Sequence, residues 1–118
     1  MLTTVTTREL KKMIDNDERF IMVNILDNDA YEQEHISGSI NIPLGDIEKE
    51  ALDLVDTDEK VVVYGFGPGS TAVREAAERL ASLGYREVIR YEGGMKEWTT
   101  EGLATEGTAI DRQRKAMS

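Results

Sequence analysis

Gly65-Phe66-Gly67-Pro68-Gly69-Ser70 is the segment of this chain best suited to chemistry. It follows the apolar stretch Val61-Val62-Val63-Tyr64 and precedes a helical pattern that begins near Thr71. Glycines let successive backbone N–H groups turn inward and form a nest for an anion. A helix that starts just beyond adds its partial positive charge. The expected donors are the N–H groups of Phe66, Gly67, Gly69, Ser70 and Thr71, because Pro68 has none to give. The opposing possibility is a tight connection that holds nothing. The loop is not a Walker loop, since no lysine follows Gly69. It is not a dinucleotide fingerprint either, because the spacing is G-x-G-x-G with Pro68 inside and Ser70 at the sixth place.

Other reactive groups are scarce. The chain has no cysteine, which excludes disulfides, thiolate metal sites and a cysteine nucleophile. His35 is the single histidine. Asp56-x-Asp58 lacks the glycine and glutamate of a calcium loop, so no metal and no cofactor are expected. Glu32 and Glu34 stand near His35, but adjacency in sequence makes no acid–base pair, and they are expected to be surface charge. Trp98 is expected in the core.

The elements that position the loop alternate between helix and strand. Thr6 and Glu9 have the spacing of a capping box, with Val5 and Leu10 as a hydrophobic staple, and Leu10, Met13 and Ile14 as the buried stripe. The run from Phe20 to Leu26 has the pattern of a strand buried on both faces. Asp27 to Asp29 turns the chain and caps a short helix near Tyr31. Ser39 to Ile42 is a short strand closed by Pro43. The spacing from Leu44 to Val55 predicts a helix. Val61 to Tyr64 is the most strand-like segment. The spacing predicts a helix over 71–83, buried along Val73, Ala76, Ala77 and Leu80 and stopped by Gly84. Val88 to Tyr91 is a further strand, and Gly93-Gly94 leads to a last helix over 95–100, ended by Gly102. This alternation predicts an α/β fold with a doubly wound, mostly parallel sheet of about five strands and helices on both faces. In such sheets ligands sit beyond the carboxyl ends of the strands, which is where the glycine loop falls.

The 118 residues suffice for one packed core. One domain over residues 1–106 and a tail over residues 107–118 are expected. Hydrophobic residues make up 40% and charged residues 31%, an ordinary soluble composition. No apolar run approaches the 20 or so residues of a membrane span, and the first residues lack the pattern of a secretory signal, so the expected location is cytoplasmic and no membrane contact is expected. Fourteen basic residues against 23 acidic ones give a net charge of −9. Such a surface repels phosphate backbones, so nucleic acid is not an expected partner.

Tyr31-Glu32-Gln33-Glu34-His35-Ile36-Ser37-Gly38-Ser39-Ile40-Asn41-Ile42-Pro43 resembles the E-Y-x-x-G-H-I-x-G-A-I-N-I-P signature of the rhodanese family. Val61-Val62-Val63-Tyr64, the loop and helix, Leu83-Gly84-Tyr85 and Gly93-Gly94-Met95-Lys96-Glu97-Trp98 resemble that family's second half. The resemblance covers roughly residues 5 to 105, in order and at the right separations. It implies the rhodanese fold and a structural role for His35, bonded to the backbone of the turn before the Ser39 strand.

The family's chemistry does not carry over as readily. The resemblance implies a cysteine directly after the V-V-V-Y strand, carrying a persulfide sulfur whose charge the loop N–H groups stabilise. Gly65 stands there, so no covalent intermediate can form. Some single-domain members read Y-C-x-G-P-x-C, and Gly65 and Ser70 occupy both cysteine positions. Ser70 has no paired base in view to make it a nucleophile. The common D-V-R after the first buried strand is altered too, with Asn24 for the aspartate and Leu26 for the arginine. No lysine or arginine lies between Gly65 and Thr71, which leaves Arg74 as the nearest cation in sequence.

The expected function is therefore a non-catalytic rhodanese-homology domain that binds a small oxyanion (thiosulfate, sulfate or phosphate) or a protein partner. The alternative is a thiosulfate-type sulfurtransferase whose cysteine has been replaced, naturally or by engineering. A cysteine-free phosphate ester hydrolase is a third possibility. Gly65→Ala is expected to leave anion binding almost unchanged. Gly67→Val is expected to harm it if the loop needs an unusual backbone angle.

Overall fold

The computed structural model describes residues 2–110. The chain runs β1 (Leu2–Val5), α1 (Thr7–Asp15), β2 (Ile21–Asn24), α2 (Asn28–Gln33), β3 (His35–Ile36), β4 (Ile40–Asn41), a 3₁₀ turn (Leu44–Asp46), α3 (Ile47–Leu54), β5 (Lys60–Tyr64), α4 (Thr71–Ser82), β6 (Glu87–Tyr91), α5 (Gly94–Thr100) and β7 (Thr105–Glu106). Five strands form one sheet in the order β1-β6-β5-β2-β4, and every pairing in it is parallel. The expected α/β architecture is present.

Two apolar clusters cover the two faces. Val61 and Val63 of β5 point into one, with Val73, Ala76, Ala77 and Leu80 of α4 and Ile47 and Ala51 of α3. Val62 and Tyr64 point into the other, with Leu10 of α1 and Met95 and Trp98 of α5. Alternate residues of β5 thus serve opposite faces, and the strand reads as continuously apolar because both faces are buried. Trp98 is 2% exposed, lies edge-on to Tyr91 at 6.0 Å and donates its Nε1–H to the Ala104 carbonyl at 3.0 Å. It is a core residue, as expected.

Local signals set most of the ends. Thr6 accepts from the Glu9 N–H and the Glu9 carboxylate accepts from the Thr6 N–H, which completes the capping box of α1. Asp27 caps α2 by accepting from the Ala30 N–H at 2.8 Å. Gly84 takes φ +101° just past the end of α4, a conformation that suits glycine.

The structure departs from the sequence expectation in four places. The edge strand β1 precedes the capping box and pairs with β6 from Leu2↔Val88 to Val5↔Tyr91. Its two threonines carry strand propensity but break the apolar pattern. The segment from Leu44 to Val55 is not one helix: a 3₁₀ turn comes first and α3 starts only at Ile47. The run from Phe20 to Leu26 yields a strand of four residues, because beyond Asn24 the Leu26 N–H turns back to the Asn24 side chain at 2.9 Å. A second, two-stranded antiparallel sheet pairs His35↔Glu106 and Ile36↔Thr105. Gly107 follows it with its backbone against the Gln33 carbonyl, at φ +139°, where a Cβ has no room. Of the expected tail over residues 107–118, positions 111–118 lie outside the described residues.

Candidate functional site

The glycine loop leaves the carboxyl end of β5, the central strand, and enters α4. Its first part is clamped by α5. The Gly65 carbonyl accepts from the Met95 N–H at 3.0 Å and the Phe66 carbonyl from the Lys96 N–H at 2.7 Å. Gly94 makes the clamp possible. A Cβ there would fall 2.6 Å from the Gly65 oxygen and 2.7 Å from the Gly67 nitrogen, and its φ is +61°. Gly94 is therefore needed for close backbone approach as well as for its positive φ.

Gly65 and Gly67 are buried, whereas Phe66, Pro68, Gly69 and Thr71 are exposed and Ser70 is half-buried. Among the described residues, none of the N–H groups of Phe66, Gly67, Gly69, Ser70 and Thr71 donates to a loop or turn carbonyl or to a side chain. Ser70 is the N-cap of α4, yet its hydroxyl makes no capping bond, and the first turn of α4 holds no acidic residue. The caps of α1 and α2 are closed by Thr6 and Asp27. The end of α4 keeps its orphan donors and its partial positive charge.

The glycine that needs an unusual backbone angle is Gly69, at φ +80°, and not Gly67. Gly67 is constrained by a neighbour instead: a Cβ there would lie 3.3 Å from Cβ and 3.7 Å from Cδ of Lys96. At Gly65 a Cβ would lie 3.2 Å from Cγ2 of Val73 and 3.6 Å from Cγ1 of Ile25. The space a side chain would use at the nucleophile position is thus partly taken by Val73.

Asn24 is completely buried and belongs to a closed network. Its Nδ2 donates to the Tyr64 hydroxyl at 3.0 Å, and its Oδ1 accepts from the Leu26 N–H at 2.9 Å. The Ile36 N–H also donates to the Tyr64 hydroxyl, at 3.0 Å. Both acceptor positions of that oxygen are then used, so the Tyr64 hydroxyl donates to Ser39 Oγ at 2.8 Å. Ser39 in turn donates to the Ile36 carbonyl at 2.8 Å. Burial pushes the Tyr64 hydroxyl above its ordinary pKa, against the lowering effect of its Ser39, Asn24 and Ile36 hydrogen bonds. An amide at position 24 suits this network, because its N–H₂ end supplies a proton that a carboxylate lacks.

His35 stacks on Tyr31, ring centroids 3.8 Å apart, and its Nδ1 lies 2.7 Å from the Tyr31 carbonyl oxygen. The backbone it bonds is that of α2, not the turn before Ser39. That turn is held by Tyr31, whose hydroxyl donates to the Ser39 carbonyl at 2.5 Å. Glu32 is exposed as expected, but Glu34 is half-buried and accepts from Thr105 Oγ1 at 2.8 Å. Among the described residues no three acidic or histidine side chains cluster as metal ligands would.

Arg74 is the nearest cation in sequence and lies exposed on α4. The fold brings Lys96 to the loop as well, its stem along Gly67. Sequence spacing could not reveal this, because the approach depends on how α5 packs. A cavity of about 330 Å³ opens beside Phe66, lined by Leu26, Ala30, Met95 and Lys96 among others. Leu26, which stands where the family resemblance implies an arginine, is therefore a cavity wall.

Comparison with known proteins identifies the family and the fold. The family model described as Rhodanese-like domain matches residues 6–101. The chain is 32% identical over 95 residues to YrkF of Bacillus subtilis, named for sulfur carriage, covering 80% of this chain and 50% of that protein. It thus spans only half the length of that relative. It is 33% identical over 115 residues to thiosulfate sulfurtransferase/rhodanese-like domain-containing protein 3 of Mus musculus, covering 86% of this chain and 71% of the relative. The solution structure of a rhodanese-like domain from Anabaena superposes with a TM-score of 0.85 at 26% identity, covering 95% of this chain and 84% of that one.

Proposed function

This chain belongs to the rhodanese-like domain family, and from that premise we propose that it is a non-catalytic binding module whose β5–α4 loop takes a small oxyanion such as thiosulfate, sulfate or phosphate. One observation carries the reading. The loop keeps five backbone donors without an acceptor among the described residues, while the position between Tyr64 and Phe66 is a glycine with Val73 packed against it. Donors oriented around a glycine can hold an anion but cannot accept a sulfur atom covalently. A protein partner that presents an anionic group would use the same donors.

Thermal unfolding with added sodium thiosulfate tests this at constant ionic strength. An anion with a Kd of about 100 µM, supplied at about 10 mM, adds about 2.7 kcal/mol of stability. The expected result is a rise in Tm with no release of thiocyanate when cyanide is present. An unchanged Tm with thiosulfate, sulfate and phosphate alike would remove the loop as an anion site.

The second reading is a sulfurtransferase whose nucleophile has been replaced. The thiosulfate sulfurtransferase name of the mouse relative favours it. It requires thiosulfate:cyanide turnover to return when Gly65→Cys is made, alone or with Val73→Ala to open space for the new side chain. Turnover in either variant would favour a disabled enzyme site over a binding module.

A further inference from the structure

We propose that the cavity beside the loop binds a monoanionic organic carboxylate, with its apolar body among Leu26, Ala30, Phe66 and Met95 and its charge at Lys96. The inference goes beyond the reading that the loop N–H groups take a small inorganic oxyanion: it concerns the cavity next to them.

Three observations support it. First, the cavity measures about 330 Å³, at the small end of the roughly 300–1,000 Å³ typical of small-molecule sites. An inorganic oxyanion would leave most of it unfilled, whereas an organic body of one aromatic ring or more fills a larger share, a single benzene needing about 150 Å³. Second, Phe66 is 63% exposed although its own carbonyl and that of Gly65 are clamped by α5. Covering its ring with an apolar ligand is favourable, and the ring is already positioned.

Third, the charges around the cavity select one negative charge on the ligand. Among the described residues, Lys96 makes no ion pair. Its stem runs along Gly67 and it lines the cavity, so it stands in the part of the lining next to the loop. Glu34 lines the side nearer α2 and β7, where Thr105 holds it. A dianion would meet Glu34 with only one uncompensated cation to hold it. A monoanion with its charge at Lys96 leaves its apolar end to the apolar lining, Ala30 and Leu26 included. Thr99 and Thr100 also line the cavity, but both hydroxyls donate to carbonyls of their own helix. They add no charge.

The test is an amide NMR titration of the full chain with sodium benzoate, sodium acetate, sodium sulfate and benzylammonium chloride at one ionic strength. Benzoate is expected to shift the resonances of Ala30, Phe66, Met95 and Lys96 and to bind at least tenfold more tightly than acetate. Lys96→Gln is expected to weaken benzoate at least fivefold. Phe66→Ser, at a side chain too exposed to be needed for folding, is expected to weaken it as well. Benzoate binding no tighter than acetate overturns the inference, whatever sulfate does. Benzylammonium binding as tightly as benzoate overturns it too, since Glu34 rather than Lys96 would then select the ligand. Failure of the loop reading shows separately, as sulfate leaving the resonances of residues 66–71 unmoved.

Discussion

Introducing a methyl group at Gly65 should cost stability, and Val73 should be the reason. Gly65 is not among the glycines of positive φ, so alanine can adopt its backbone conformation. On backbone grounds alone Gly65→Ala would stabilise by about 0.4–1 kcal/mol, through lost freedom in the unfolded chain. The new Cβ, however, would sit 3.2 Å from Val73 Cγ2. Val73 is 2% exposed on α4, and a β-branched side chain in a helix has essentially one χ1 rotamer. It cannot rotate away, so strain of about 1–3 kcal/mol is expected. The net change is a loss of about 0–2.6 kcal/mol, obtained as the difference of those two ranges.

Val73→Ala removes the opposing methyl. In that background Gly65→Ala should stabilise, leaving a coupling energy of about 1–3 kcal/mol between the two sites. Urea unfolding of the four proteins measures it directly. A Gly65→Ala variant that is more stable than the parent, or equally affected in both backgrounds, refutes the reasoning. The same strain predicts that Gly65→Cys recovers any sulfur transfer better when Val73→Ala accompanies it.

Asn24→Asp should destabilise by about 1–3 kcal/mol at neutral pH, because Tyr64 loses a donor and a carboxylate is buried without a cation. Burial raises the folded pKa of such a carboxyl. The variant should therefore recover stability below pH ~4 and lose it as pH rises through that raised value, as a pH series of melting curves would show. Gly69→Ala should cost about 1 kcal/mol, since its φ of +80° strains any side chain, while Gly67→Ala, whose Cβ meets the Lys96 stem from 3.3 Å and the Gly93 carbonyl at an ordinary 3.8 Å, should cost less in the same denaturation assay. For the parent, the raised pKa of Tyr64 means that the folded state holds its proton more tightly than the unfolded chain. Stability should be intact below pH ~10 and fall above it, and Tyr64→Phe should flatten that alkaline limb while lowering stability at neutral pH through the Asn24 and Ile36 donors it strands.

Much of the molecule is legible in one dimension because its signals are local. The Thr6–Glu9 capping box, the Asp27 cap and the Gly84 stop each depend on side chains within four residues of the backbone they serve. The continuous apolar run of β5 reports burial on both faces, and hence a parallel sheet with helices on either side. Strand β1 escaped because Thr3 and Thr4 break that run, and an edge strand needs only one neighbour. The pair β3 and β7 escaped because two residues carry no periodicity.

The site divides along the same line. Absence of cysteine, glycine at position 65 and a glycine-rich strand-to-helix loop follow from the sequence by itself, since residue type alone decides whether a covalent intermediate is possible. Tertiary structure decided the rest. Asn24 as a donor to Tyr64, Val73 in the space beside Gly65, Lys96 along Gly67 and Leu26 as a wall of the cavity it shares with Lys96 are contacts between residues 40, 8, 29 and 70 positions apart. Such contacts arise from how helices pack on a twisted sheet, and no spacing along the chain encodes them.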